Sequence, residues 1–262
     1  MDGLERVKKS TFYRVDYRVD RRARGGRIGK RAAGNPLLLR LANFVTSLGL
    51  TILAASAHAA YPWQEGVYLA DASALSHWND TIERHDQQRD QLTSCIDDRD
   101  TCDGRLNGLA HLMSRAQGLT KQAQLRLVNR YINGKRYKND RPTRTTSELR
   151  PESQVFRNSW STPVEFVTKG GDCEDYASAK YFLLRDLGFS SDELRVVVTY
   201  ETRSHGYHAV LAYRQTPDEI WLLDSDNTVR KSPAFGARFI YAVNEHGIWD
   251  HETDRQTIRS KG

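Results

Sequence analysis

The chain has 262 residues, of which 39% are hydrophobic and 27% are charged, and its formal net charge is +6. This length suits one domain, or one domain with an accessory segment, and the composition excludes collagen-like, disordered and multi-span membrane proteins. The basic excess lies within residues 1–60, whereas residues 61–262 hold slightly more acidic than basic side chains. The body of the chain therefore lacks the basic footprint of a nucleic-acid-binding protein.

The first 60 residues have the features of an export leader. A basic stretch ends at Arg40, a mostly apolar run covers Leu41 to Ala57, and Ala57-His58-Ala59 matches an A-x-A cleavage pattern. We therefore predict a signal peptide over 1–60 and one mature domain over 61–262, located in the periplasm. A retained membrane anchor is the alternative interpretation of the same apolar run.

Three helices are predicted in the first part of the mature chain. The first covers 73–94, the second 106–117, and the third begins after Thr120 and ends at Gly134. Between the first two helices, Cys95 and Cys102 lie in a polar segment, and in an oxidising compartment this spacing predicts a local disulfide. Residues 135–158 are polar and are predicted to form a long loop.

Two further helices and then a group of strands follow. Thr162, Pro163 and Glu165 form the N-terminal signature of a short helix, and a second helix is predicted from Cys173 to Leu187. Beyond Gly188 the apolar period changes to that of strands, which are predicted at 194–202, 207–214, 220–224 and 238–243. Helices to about residue 188 followed by a mainly β region over 189–250 predict an α+β domain with an antiparallel sheet.

Cys173 is the remaining cysteine, and it lies where a thiol can be activated. The preceding Gly170-Gly171 delivers it to the first turn of a helix, where backbone N–H groups and the helix dipole stabilise a thiolate. Its own N–H group can also face a developing oxyanion. A buried, unreactive cysteine is the alternative.

Three carboxylates, Asp172, Glu174 and Asp175, flank this cysteine and would raise the pKa of its thiol. Acidic residues suit any helix N-terminus, which is one explanation for them. A bound Ca²⁺ is the other, because calcium takes clustered oxygen ligands and would neutralise their charge.

A thiolate nucleophile requires a base and a group that orients the base. His208 opens an apolar strand and Asp224 ends the next one, so we predict that His208 is the base and Asp224 the orienting acid. His205 competes with His208, and Asp226 competes with Asp224.

At these residues the sequence resembles the bacterial transglutaminase-like cysteine proteinases. The resemblance rests on STPVEF (161–166), GGDCEDYASAKYFLLRDLGF (170–189), YHAVLAY (207–213) and WLLD (221–224), and it extends over roughly 61–249. It implies a papain/transglutaminase-like fold, in which N-terminal helices and the nucleophile helix pack on an antiparallel sheet. It also implies a triad of Cys173, His208 and Asp224.

For adhesin-cleaving members of this family, the resemblance implies calcium dependence, with Asp172 and Glu174 as ligands and Asp175 as a further one. It implies that the chain cuts a large surface adhesin near its N-terminus at a pair of alanines, which controls biofilm attachment. An inner-membrane receptor that senses cyclic di-GMP is the implied partner. Two alternatives remain from the residues, namely a transglutaminase-like acyltransferase and a non-catalytic calcium-binding module of the envelope.

Overall fold

The computed structural model describes Trp63 and residues 66–139, 143–144, 154–155, 160–231 and 236–251. The predicted leader over 1–60, its cleavage site and much of the predicted 135–158 loop lie outside these residues. The predicted domain boundaries therefore stay predictions.

Five helices occupy the first part of the described chain, in agreement with the sequence patterns. They are α1 (Ser76–Asp97), α2 (Asn107–Ala116), α3 (Lys121–Asn133), α4 (Pro163–Lys169) and α5 (Cys173–Asp186). None of the described helices is both long and apolar enough to cross a membrane.

The predicted start of α4 is confirmed in detail. The Thr162 hydroxyl accepts a hydrogen bond from the Glu165 N–H at 3.2 Å, and the Glu165 carboxylate accepts one from the Thr162 N–H at 3.3 Å. Pro163 occupies the first turn, where its missing N–H costs no helical hydrogen bond. This capping box fixes where the chain turns towards the cysteine helix.

A seven-stranded antiparallel sheet forms the second layer, with the strand order β1-β9-β8-β4-β5-β6-β7. Its strands are β1 (Val67–Ala70), β4 (Leu194–Glu201), β5 (Gly206–Thr216), β6 (Glu219–Leu223), β7 (Val229–Arg230), β8 (Ala237–Val243) and β9 (Ile248–Asp250). The four central strands were predicted from the sequence, and the α+β class with a papain/transglutaminase-like arrangement is confirmed.

The prediction of a long loop over 135–158 was incomplete. Strands β2 (Thr143–Arg144) and β3 (Gln154–Val155) pair there in a separate two-stranded antiparallel sheet. Two-residue strands carry too few side chains to show an alternating pattern in sequence.

Helix α5 contacts other helices as well as the sheet in the described part of the chain. It packs against β4 and β5 on one side and against α3 and α4 on the other. Eleven of its 14 residues are buried. A helix that is surrounded on all sides holds the cysteine at its first position rigidly with respect to the sheet.

The first helix is tied to this core and to the loop that follows it. The Trp78 ring stacks on Phe182 of α5 and meets the Trp160 ring edge to face, and all three side chains are buried. The predicted disulfide between Cys95 and Cys102 is present, with Cys95 in the last turns of α1 rather than in the loop.

Candidate active site

Cys173 is the first residue of α5, and the two glycines before it are required by the local geometry. Gly170 has a φ of +70°, a conformation that favours glycine, and a Cβ atom there would lie 2.7 Å from the Arg136 carbonyl oxygen. A Cβ atom on Gly171 would collide with the carboxylate of Asp175. The glycine pair is thus a packing requirement at the start of the cysteine helix.

The Cys173 thiol is buried, with 4% of the residue exposed. Its sulfur lies 3.1 Å from Oε2 of Glu174, and the backbone N–H of Ala209 on β5 forms a hydrogen bond to it. Burial, followed by the charges of Glu174 and Asp172, raises the pKa of this thiol well above its usual value, while the Ala209 N–H lowers it. The residues alone therefore favour the neutral thiol.

His208 and Asp224 form a hydrogen-bonded pair at one end of the sheet. Nε2 of His208 lies 2.7 Å from Oδ1 of Asp224, and His208 is the residue before Ala209, whose N–H meets the sulfur. The structure thus pairs the predicted base with the predicted acid, and it places the cysteine sulfur against the backbone of the residue that follows the histidine.

Each member of this pair shifts the pKa of the other. Burial opposes protonation of His208, but the hydrogen bond and charge of Asp224 outweigh it and raise the pKa of the imidazole. Burial acts against ionisation of Asp224, but His208, the Ser225 N–H and Arg230 lower its pKa to about 2. Because the ionised carboxylate can only accept, Nε2 carries a hydrogen, and Nδ1 is the ring nitrogen that this pairing leaves unused.

Asp226, the competitor of Asp224, contacts other groups. Its Oδ1 accepts a hydrogen bond from the Thr228 N–H at 2.9 Å, and its Oδ2 lies 2.6 Å from Nη2 of Arg230. Nη1 of Arg230 lies 2.9 Å from Oδ2 of Asp224, so one guanidinium joins the two carboxylates. No motif or periodicity in the sequence marks Arg230 for this role. His205, the competitor of His208, is exposed in the turn before β5 and has a φ of 52°.

The backbone of Asp224 is also held from two helices. Its carbonyl oxygen accepts hydrogen bonds from Nδ2 of Asn133 at 2.7 Å and from Nζ of Lys180 at 2.8 Å. Neither donor could be recognised from the sequence. A polar residue within a helix carries no local signal for the distant carbonyl to which it will donate.

The predicted acidic ligands divide into two groups. Within the described part of the chain, ligand atoms of Asp172, Cys173 and Glu174 all lie within 4.8 Å of one another. Glu174 forms a hydrogen bond with Asp172, and burial, with a contribution from Asp175, raises the pKa of Glu174. Asp175 itself is outside this cluster, since its two oxygens accept from the Ser161 N–H at 2.8 Å and the Asp172 N–H at 3.0 Å.

Two carboxyl groups in hydrogen-bonding contact must share a proton or a cation between them. Carboxylate oxygens are the ligands that Ca²⁺ prefers, so Asp172 and Glu174 fit such an ion in donor chemistry. The thiol is a soft ligand that calcium does not favour, which leaves the sulfur available as a nucleophile.

A cavity of about 720 Å³ lies between α3 and the segment that contains β6 and β7. It is lined by Arg126, Asn129, Arg130, Trp221, Asn227, Val229 and Lys231. None of Cys173, His208 or Asp224 lines it, so this cavity is separate from the cysteine site.

A buried cysteine at a helix start, against a strand that carries a histidine paired with an aspartate, is the arrangement of papain-like thiol enzymes. The chain belongs to the bacterial transglutaminase-like cysteine proteinases (BTLCP), whose family profile matches residues 90–250. A search of curated proteins finds no match.

Among solved structures the chain is similar to LapG of Legionella pneumophila. The calcium-bound form is 25% identical, with a TM-score of 0.51, over 66% of this chain and 97% of that one. The EGTA-treated form is 28% identical, with a TM-score of 0.51, over 63% of this chain and 86% of that one. A third LapG structure is 27% identical, with a TM-score of 0.50.

Proposed function

We propose that the chain is a periplasmic, calcium-dependent cysteine endopeptidase with a triad of Cys173, His208 and Asp224. The observation that carries this proposal is the 2.7 Å contact between His208 and Asp224, one residue from the Ala209 N–H that meets the cysteine sulfur. Membership of a cysteine proteinase family supports the reaction class.

In the proposed reaction, Nδ1 of His208 takes the proton of the Cys173 thiol, and the thiolate attacks the substrate carbonyl carbon. The N–H of Cys173, which α5 does not use for a helical hydrogen bond, faces the oxyanion. The imidazolium then protonates the leaving amine as the C–N bond breaks and a thioester remains. Water, deprotonated by the same imidazole, hydrolyses the thioester and restores the thiol.

Asp224 orients His208 in this scheme. Its ionised carboxylate fixes the imidazole as the Nε2–H tautomer and stabilises the imidazolium that forms during attack. The pKa of His208 is raised because Asp224 stabilises the imidazolium in this way. The acid does not need to change its own protonation state, because its pKa is about 2.

A bound calcium ion would offset the negative charge that surrounds the thiol. The charges of Asp172 and Glu174 raise the pKa of Cys173, and these two residues would hold the ion. When bound, Ca²⁺ would neutralise both carboxylates, so that their effect on the thiol disappears. The similarity to a calcium-bound LapG supports this part of the proposal.

The proposed substrate is a large surface adhesin that is cut near its N-terminus at a pair of alanines, with release of cells from a biofilm as the consequence. The proposed partner is an inner-membrane cyclic di-GMP receptor of the LapD type, which would sequester the enzyme. Export by the leader over 1–60 would bring the enzyme to both. The similarity to LapG supports these assignments.

The experiment is cleavage of a purified adhesin N-terminal fragment, followed by gel electrophoresis and N-terminal sequencing of the product. Wild type is expected to cut in calcium and to lose most activity in EGTA, and Cys173→Ala and His208→Ala are expected to be inactive. His205→Ala is the matched control, since His205 is exposed three residues from His208 and should keep full activity. Cleavage by Cys173→Ala would refute the proposal.

The same triad permits transfer of the acyl group to an amine, so a labelled primary amine belongs in the reaction. Hydrolysis without incorporation supports the endopeptidase, and incorporation in place of hydrolysis indicates an acyltransferase. If wild type shows neither reaction and iodoacetamide does not alkylate Cys173, the chain is a non-catalytic calcium-binding module.

A further inference from the structure

A fully buried lysine lies on the same helix as the nucleophile. Lys180 is seven residues after Cys173 on α5, which is two helical turns, so the two residues share one face. Its side chain has 0% exposure. Side chains on a helix lean towards its N-terminus, so the lysine reaches towards the cysteine end, where Asp224 lies.

The ammonium of Lys180 binds the main chain of the proposed triad acid. Nζ donates to the Asp224 carbonyl oxygen at 2.8 Å, and the same oxygen accepts from Nδ2 of Asn133 at 2.7 Å. Asn133 is the last residue of α3, and its Nδ2 also lies 3.2 Å from Oδ1 of Asn129, which sets the amide orientation. A carbonyl has two lone pairs, and two helices occupy both.

Together with the contacts of its carboxylate, these bonds restrain both the backbone and the side chain of Asp224. The carboxylate of Asp224 is held by His208, Arg230 and the Ser225 N–H. Asp224 lies just beyond the end of β6, where its N–H donates to the Thr228 carbonyl at 3.4 Å, so contacts outside the β6 strand set its position. The two carbonyl contacts therefore contribute to the position from which the carboxylate reaches the imidazole.

Burial disfavours the charged form of this lysine. The charged side chain therefore costs stability at this position, which indicates another role for it. Burial lowers the pKa of Lys180 to about 7, although Asp224 and Asp226 act in the opposite direction. The ring of Tyr176 is 5.9 Å from Nζ. A methionine of similar length would fill this space without a desolvation penalty. A buried ammonium at such a site is explained by the carbonyl that it holds.

We propose that Lys180 and Asn133 are positioning residues, which hold the backbone of Asp224 so that its carboxylate orients His208. This inference rests on the proposed function, because it assigns the residues a part in that triad. Neither side chain contacts the reacting atoms. Lys180 also ties the acid directly to the helix that carries the nucleophile, so the cysteine and the acid move as one unit.

The test compares Lys180→Met and Asn133→Ala with wild type in the adhesin-fragment assay. Each variant is expected to lower kcat by about 10- to 100-fold with KM within twofold, because a small displacement of the acid weakens catalysis and leaves substrate binding intact. Lys180→Met is expected to keep the melting temperature of wild type or exceed it. Tyr176→Phe is the matched control, since it removes a 2.7 Å hydrogen bond from α5 to the Lys135 carbonyl and should retain kcat within twofold.

A second measurement does not depend on activity. The ¹⁵N NMR shifts of His208, assigned with a His208→Gln sample, should show one Nε2–H tautomer in wild type and a mixture in both variants. If wild type cuts no adhesin fragment, the proposed function fails and these shifts still decide the positioning role.

Two results would overturn the inference. One is kcat within twofold of wild type in both variants, together with unchanged His208 shifts. The other is a rise in KM at constant kcat, which would make the two residues substrate-binding groups. If Lys180→Met does not fold, Asn133→Ala decides alone, because Asn133 is half-buried and its loss leaves no buried charge.

Discussion

Nε2 of His208 lies 2.7 Å from Oδ1 of Asp224, although the residues are 16 positions apart in the chain. Strands β5 and β6 are adjacent and antiparallel, with Leu211 opposite Leu223, so the start of β5 and the end of β6 lie at the same end of the sheet. Both side chains are largely buried, at 14% and 13% exposure. Their hydrogen bond is therefore shielded from the water that weakens exposed pairs.

The two neighbouring aspartates should differ sharply in their effect on activity. Asp224→Asn removes the charge that holds the imidazole, and we expect it to lower kcat for adhesin cleavage by about 10³- to 10⁴-fold. Asp226→Asn should stay within about threefold, since its carboxylate contacts Thr228 and Arg230 rather than His208. Single-turnover cleavage measures both variants, and an equal loss would show that Asp224 is not the orienting group.

The pair should also govern stability at acid and neutral pH. The pKa of Asp224 falls from 3.8 to about 2 on folding, so its contribution is present above pH 3.8 and is lost as the pH falls through about 2. The pKa of His208 is raised above 6.5, so its contribution is present below pH 6.5 and is lost as the pH rises through the folded value. The stabilisation from the pair should therefore be greatest between about pH 4 and 6.5.

The measurement is the melting temperature of wild type and Asp224→Asn across pH 2 to 9. Only the difference between the two curves is informative, because burial also lowers the pKa of His77 to about 4. That histidine must take up a proton on unfolding, and so it removes stability as the pH falls from 6.5 to 4 in both proteins. A constant difference across the range would contradict the coupling between His208 and Asp224.

The sequence predicted those parts of the fold whose signals are local. Thr162, Pro163 and Glu165 specify a helix start within four residues, and Thr120 and Gly134 mark the two ends of α3. Strands β4 and β5 are long and apolar enough to show their period. Strands β1, β7 and β9 were missed, because each has only two to four residues and is defined by its partner in the sheet.

In the site, too, the features with a local sequence signal could be predicted, whereas the contacts that depend on the fold could not. A cysteine after two glycines at a helix start can be recognised in the sequence, and so can a histidine that opens a strand. The preference for Asp224 over Asp226 as the histidine partner rests on Asp224 ending an apolar strand and on the family resemblance. The contact between His208 and Asp224 itself depends on strand pairing. Lys180 and Arg230 act through contacts 44 and 6 residues away, which no periodicity encodes.

Asp175 should be important for stability and unimportant for calcium. Its buried carboxylate accepts two backbone N–H groups, from Ser161 and Asp172, so Asp175→Ala leaves both donors without a protein acceptor. We expect the free energy of unfolding in urea to fall by about 2 to 4 kcal/mol, and by less in Asp175→Asn, which keeps one oxygen. The shift in melting temperature on adding calcium should equal that of wild type. Loss of that shift would instead make Asp175 a ligand.

Glu174 should make the Cys173 thiol less reactive when no calcium is bound. Its charge raises the pKa of Cys173, and its Oε2 accepts from the thiol at 3.1 Å, so Glu174→Gln should lower that pKa. In EGTA at pH 8 we expect iodoacetamide to alkylate Cys173 about tenfold faster than in wild type, because a larger fraction of the thiol is ionised. Calcium should accelerate alkylation of wild type and change the variant little.

The control for Glu174→Gln is Asp90→Asn, which removes one negative charge from an exposed position on α1. Its alkylation rate should match that of wild type with and without calcium, since an exposed charge is screened by solvent and salt. Faster alkylation in both variants would indicate a general effect of net charge. Slower alkylation in Glu174→Gln would mean that the carboxylate acts as a base for the thiol, and the case for a cation that offsets it would then fail.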